Sequence, residues 1–253
     1  MMSNEKLRVC FATSTGGYDH ARILDSVLAR ALDMRGVQVE MLLCDAALPG
    51  CQMTKMGRAT PEMLAARDEL AYCHKCVKLG MEAYAPLGYP IRKLGDYITS
   101  EAAENSRRIA ESTPYQEIRH YTMDELPVGD HAHAGVLRYF ASGDLSNEPM
   151  GEVVLRRYFE AGLRTVHAIT RLIAEQRYDV IVVHHGIYIP QGMICEVARK
   201  HGVRVVSYNP AYRKHSFIFS HGQSYHFTML DEPVEHWCNL PMTDARNQDV
   251  DRY

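Results

Sequence analysis

The sequence predicts an α/β protein: an open, mostly parallel, Rossmann-like sheet with helices on both faces. Three observations predict it. Residues 7–43 read as strand, glycine turn, helix and strand, a βαβ unit whose crossover implies a parallel pair. Val180-Ile-Val-Val183 is a run of β-branched residues, as in a strand buried on both faces. The same strand–turn–helix–strand order then recurs between Tyr178 and Val206.

The elements follow in order. Leu7 to Ala12 is a β-rich run ended by Thr-Ser-Thr-Gly-Gly. Ile23, Leu24, Val27, Leu28, Ala31 and Leu32 have helical spacing, closing near Gly36. Val37 to Leu43 is the second strand and Cys44 to Ala59 a loop. A helix starts at Thr60-Pro61, a cap followed by a first-turn proline, and extends, with a break allowed, to Leu87. Ile91 to Leu94 suits a short strand, and Ser100 to Ala110 a polar helix. Residues 111–130 show no clear period. Asn147-Glu148-Pro149 opens the longest helix, whose apolar face runs from Leu155 to Ile173. After the Val180 strand come a His185-Gly186 turn, a helix from Pro190 to His201 capped by Gly202, and a strand from Val203. The expected organisation is one domain over 1–240, with a cysteine-containing insertion around 44–80. Residues 241–253 form a polar, frayed tail.

Composition narrows the function. The 253 residues are 46% hydrophobic and 23% charged, ordinary for a globular chain. Lys+Arg is 28 against 31 Asp+Glu, a net −3, which argues against nucleic acid as a principal partner. No apolar run reaches the roughly 18 residues of a membrane span, and the N-terminus lacks a secretory pattern. A cytoplasmic location is expected. Seven cysteines, an odd number, then read as thiols or metal ligands before disulfides.

In an open parallel sheet ligands bind beyond the carboxyl ends of the strands. That rule selects Thr13 to His20, His184 to Tyr188, and Ser207 to Pro210. Around Gly16 and Gly17 the first segment precedes a helix N-terminus that attracts anions, or is simply a tight turn requiring glycine. It matches neither GxGxxG nor a P-loop. Of His184 and His185, adjacent on a strand, at most one is expected to face a given pocket; the other reading is a core His and a surface His. Asn209 to His226 places Arg213, His215, Ser220, His221, Tyr225 and His226 in one polar, aromatic stretch, suited to an anionic or sugar ligand. Its plainer reading is an amphipathic hairpin with a solvated face. Cys44, Cys51, Cys73 and Cys76, spaced C-x6-C-x21-C-x2-C, suit a structural zinc, with an iron–sulfur cluster as the second option and His74 as a substitute ligand. Otherwise they are buried thiols, or Cys73 and Cys76 form a reversible disulfide. Asp249-Val-Asp251 has the Asp-x-Asp form that some glycosyltransferases use to hold a metal, a triplet a polar tail also produces easily.

The string from His185-Gly-Ile-Tyr-Ile-Pro-Gln-Gly-Met through Asn209-Pro-Ala-Tyr-Arg213 to Phe219-Ser-His-Gly-Gln-Ser-Tyr-His226 and Asp231-Glu-Pro resembles bacterial capsule and surface-polysaccharide glycosyltransferases. So do Leu43-Cys-Asp45, Leu48-Pro-Gly-Cys51 and Cys73-His-Lys-Cys76. The resemblance implies a GT-B enzyme, of which this chain supplies the acceptor-binding half. A second domain or subunit would bring the nucleotide-sugar donor, without an Asp-x-Asp metal, and peripheral membrane association would be compatible. It implies His185 or His20 as base, with Gly16, Gly17, Tyr188, Asn209, Arg213, His215, Ser220, His221, Tyr225 and His226 binding substrate. Two alternatives stay open: a GT-B-like sugar-nucleotide epimerase, and a non-catalytic, metal-stabilised module that holds a glycan or partner.

Overall fold

The structure, a computed structural model, describes residues 6–54, 59–66, 71–211, 213–214, 216–224, 226–227, 233, 235, 238–239 and 241–252. Six strands form one sheet in the order β3-β2-β1-β4-β5-β6. They are β1 Arg8–Ser14, β2 Gln38–Leu43, β3 Ile91–Lys93, β4 Val180–His184, β5 Arg204–Pro210 and β6 Phe217–His221. All neighbours pair in parallel except β5 and β6. The predicted Rossmann-like architecture is therefore present. The polar stretch after Asn209 does form a hairpin, its outer strand largely exposed.

Alternation along the strands feeds two cores. Cys10, Ala12, Ile181 and Val183 face α4 (Ser100–Ser112), α6 (Val128–Phe140), α7 (Gly151–Gln176) and α8 (Gln191–Lys200). Val9, Phe11, Val180 and Val182 face α1 (Asp19–Asp33) and α3 (Ala71–Tyr84). Among the described residues the further α-helices are α2 (Pro61–Ala66), α5 (Tyr115–Ile118) and α9 (Asp244–Asp251).

Several elements differ from the sequence reading. The stretch from Thr60, for which a break was allowed, contains α2 and α3. Helix α6 arises where no element was expected, because its buried positions include Gly129, Ala132 and Gly135, too small to leave an apolar stripe. On α1, Ile23 and Val27 are exposed while Ala21, Asp25 and Ala29 are buried. The cause is polar: Asp25 accepts a hydrogen bond from Tyr208 at 2.6 Å and is in reach of Tyr84 at 3.5 Å, which turns that face inward. The expected frayed tail contains α9, and the Asp-x-Asp triplet ends in that helix.

Candidate functional site

The chain runs from β1 outward to β3 on one side and from β4 outward to β6 on the other, so the strand order reverses between β1 and β4. Open α/β sheets bind ligands in the crevice at this reversal. Both strands end there in strained backbone: Ser14 has φ 60° and His185 φ 69°. Non-glycine residues rarely adopt the left-handed region, and such strain collects at ligand sites.

His185 leaves the strand in a left-handed turn, so the alternation expected to send the two adjacent histidines to opposite faces ends at His184. Because His185 leaves the pleat, the two imidazole centroids lie 5.6 Å apart. His184 lies tilted against Tyr18 at 4.7 Å and meets Tyr208 edge-on at 5.6 Å. His185 lies 4.9 Å from Tyr188 and 5.4 Å from His226. The guanidinium of Arg138 sits 4.5 Å above the Tyr188 ring. Asn209 lies beside His184, and His20 is exposed beside Tyr18.

Burial, helped by the charge of Arg138, lowers the His184 pKa to about 4. Burial, together with His184, His226 and Arg138, lowers that of His185 to about 3. Both rings are uncharged at neutral pH and serve as hydrogen-bonding groups. The His184 amide donates to Thr13 Oγ1 at 3.1 Å, and Gln191 Nε2 donates to the Thr13 carbonyl at 2.6 Å. Ser14 Oγ, Thr15 Oγ1 and Gln191 Oε1 are buried without a hydrogen-bond partner among the described residues. A cleft of ≈ 600 Å³ continues from this loop, lined in part by Asp130, His131, Gly186, Glu196, Arg199 and His226. Burial raises the Glu196 pKa, but hydrogen bonds from His131 and Arg199 outweigh it and hold the carboxyl below its usual range.

The glycine pair belongs to packing against α3. A Cβ on Gly16 would lie 2.3 Å from the Cys76 carbonyl, and one on Gly17 2.3 Å from the Tyr72 hydroxyl. The Gly17 amide donates to Cys76 Sγ at 3.1 Å, so it is not aimed at a crevice anion. Arg213 is exposed in the β5–β6 turn, His221 is exposed on β6, and Ser220 is buried opposite Ser207. None of the three contacts the imidazole group among the described contacts. His215 and Tyr225 lie outside the described residues.

Sequence reasoning missed Arg138, His131, Gln191 and Asp25. Arg138 and His131 sit on the unpredicted α6. Gln191 carried a signal, being a polar residue in the first turn of a helix that follows a strand at the sheet's carboxyl edge.

Cys44, Cys51, Cys73 and Cys76 line one small cavity together with Thr15, Leu48, Met53, Tyr72 and Pro190. Among the described residues no three His, Cys, Asp or Glu side chains are gathered as a metal ion requires. The metal-binding expectation, a tetrahedral zinc with every sulfur about 2.3 Å from one point, is therefore corrected. No disulfide forms among the described cysteines, the Cys73–Cys76 pair included.

Comparison with known proteins corrects the functional expectation. No known family matches the chain, and no curated protein does. Among solved structures, one described as a CDPS (cyclodipeptide synthase) from Fluoribacter dumoffii is similar at 16% identity and a TM-score of 0.48, covering 85% of this chain and 90% of that one. Nothing found supports a capsule glycosyltransferase, its acceptor half, an epimerase or a glycan-binding module. Those readings are withdrawn. No helix among the described residues is long and apolar enough to cross a membrane.

Proposed function

We propose that the crevice between β1 and β4 binds a small planar heteroaromatic molecule bearing an anionic group, of which a nucleotide is the simplest example. The observation that carries this reading is the buried hydrogen-bonding capacity left over at the strand reversal, Ser14 Oγ and Gln191 Oε1 above all. A buried polar atom without a partner costs about 1–3 kcal/mol, and a ligand that supplies the missing bond recovers it. The ring shelf of Tyr18, His184, His185 and Tyr188 offers aromatic faces to a base. Arg138 is the cation beside those rings and suits the anionic group.

The histidines orient this ligand; they do not take its proton. A base whose pKa is about 3 holds a proton too weakly to abstract one at pH 7. Calorimetric titration with purine and pyrimidine nucleosides and their phosphates tests the reading. Arg138→Met is expected to weaken nucleotides about tenfold, roughly 1.4 kcal/mol, and to leave nucleosides unchanged. His184→Gln should weaken both. Absence of binding by every compound at millimolar concentration overturns the proposal.

A further inference from the structure

One half of the sheet is bare on the α1 side. The helices there, α1 and α3, pack on β1 and β2. The crossover from β4 outward to β5 puts α8 on the opposite side, in the other core. β5 then turns back into β6 as a hairpin, so no crossover helix returns between them. What remains between α1 and β6 is an open groove of ≈ 240 Å³. It is lined by Leu28 and Leu32 of the helix and by Val182, Val206 and Phe219 of the strands, with Arg204 at the start of β5. Phe219 keeps 44% of its surface exposed.

Helix α1 carries the complement. Ala21, Asp25 and Ala29 are its buried residues. Ile23 and Val27 stand about 200° round the helix from Ala21 and Asp25. Each is 58% exposed, on the side where a surface helix is ordinarily polar. Their spacing matches the groove. Ile23 and Val27 are about 6 Å apart along the helix, and Tyr208 and Val206 about 6.6 Å apart along β5. The Tyr208 hydroxyl donates to Asp25 Oδ1 at 2.6 Å and lies 3.1 Å from the Ala21 carbonyl. Ile23 is therefore level with Tyr208 and its cross-strand neighbour Phe219, and Val27 is level with Val206.

We infer that a second copy of this chain covers the groove. A two-fold axis running along α1 lays the α1 of each copy over the β4–β6 face of the other, with Ile23 against the partner's Phe219 and Val27 against the partner's Val206. Rotation about such an axis leaves levels along α1 unchanged, so ridge and groove meet in register. The contact is isologous: each copy gives one ridge and receives one. An unrelated partner would account for the groove and leave the ridge in water. Helix α1 has 15 residues. It is thus about 22 Å long and about 10 Å across, so ridge and groove of both copies cover about 900 Å² in outline, before side-chain relief, near the low end of specific interfaces. The inference is independent of the ligand proposed for the crevice.

Sedimentation equilibrium of the full chain tests it. Over about 5 to 300 µM, reversible association to twice the 28.7 kDa chain mass is expected. Val27→Asp and Phe219→Asp, both at exposed side chains, enter the interface twice and should each weaken the dimer about a hundredfold. Arg108→Asp, exposed on α4 at the opposite face, should leave it unchanged. Far-UV circular dichroism checks that each variant is folded, and the wild-type mass decides if one is not. A single-chain mass throughout the range overturns the inference; it is the result expected if another protein, or the chain's own residues beyond Phe227, occupy the groove. A dimer that survives Val27→Asp or Phe219→Asp, or one that Arg108→Asp dissociates equally, overturns it as well.

Discussion

At the imidazole crevice the backbone is strained on both sides and buried hydroxyl and amide oxygens are left over; at the thiol cavity, one turn of chain away, the loop carbonyls of Ala47 and Cys51 are taken up by Arg164, Tyr158 and Thr54. The Gly16-Gly17 turn separates the two regions, with Thr15 lining the cavity and Ser14 ending β1 at the crevice. Unsatisfied polar atoms suit a partner that comes and goes, because the protein folds without it and gains on binding. A shell whose carbonyls and carboxylate already have partners suits a fixed part of the frame, because nothing is left for a ligand to satisfy.

The contrast breaks most severely at Glu160. Its carboxylate is fully buried between Arg164 at 2.7 Å and Arg157 at 3.6 Å. Arg157 in turn donates to the carbonyls of Leu64 and Ala65 in α2. Glu160→Ala leaves two largely buried guanidinium groups without the carboxylate between them. The expected loss is about 3–5 kcal/mol in urea unfolding. A loss below about 1 kcal/mol would mean that the shell is not the rigid part.

Next comes the partition itself. Gly16→Ala sets a Cβ against the Cys76 carbonyl and 2.5 Å from Gly80 Cα, both backbone. Neither can rotate away, so about 3 kcal/mol of destabilisation is expected. Gly143→Ala, with nothing near its Cβ, is the control and should be close to neutral. Equal stability of the two variants would show that the turn yields and that the regions are not mechanically joined.

These contacts also mark what was legible in the sequence. The βαβ units, the buried β4 strand and the crevice position follow from period and from the carboxyl-edge rule, which need only local residue types. His184 and His185 were therefore found. That their rings lie 5.6 Å apart was not, because a left-handed φ at a histidine leaves no trace in composition. Arg138 was hidden because Gly129, Ala132 and Gly135 make up most of the buried face of α6. The cysteines were read from spacing, which says that four sulfurs can meet but not how far apart they stand. The resemblance that suggested a glycosyltransferase rested on short strings, and short strings around a sheet edge do not fix chemistry.

Acidification sharpens the crevice side. The folded pKa values of His184 and His185, about 4 and about 3, lie below the roughly 6.5 of a free imidazole. The unfolded chain therefore takes up protons that the fold refuses. Their stabilisation is complete above about pH 6.5 and is lost as pH falls toward 4, by about 2 kcal/mol for each ring between pH 7 and pH 5. Asp25 opposes them. Burial raises its pKa to about 7, so the unfolded carboxyl, near about 4, is the better acid. Its contribution improves by about 2 kcal/mol over the same interval. The net loss for the wild type is then about 2 kcal/mol. Asp25→Asn should steepen the acid limb toward twice that, and His184→Gln should flatten it. Parallel curves for all three proteins would refute the assignment of these shifts.

The smallest effect probes the cavity shell at a single bond. Tyr158→Phe removes the hydroxyl that donates to the Cys51 carbonyl and lies 2.8 Å from Thr54 Oγ1. The ring, fully buried, keeps its packing. Thr54 Oγ1 still donates to the same carbonyl at 2.7 Å, so the oxygen is not orphaned. The cost should therefore fall at the low end for a lost buried hydrogen bond, about 1 kcal/mol. Thr54→Val in the same background removes the second donor and should cost more than it does in the wild type, because only then is the Cys51 carbonyl buried without a partner. A double-mutant cycle reads that excess directly. Strict additivity would mean that the two hydroxyls do not share the carbonyl, and that the cysteine loop is held by the arginines alone.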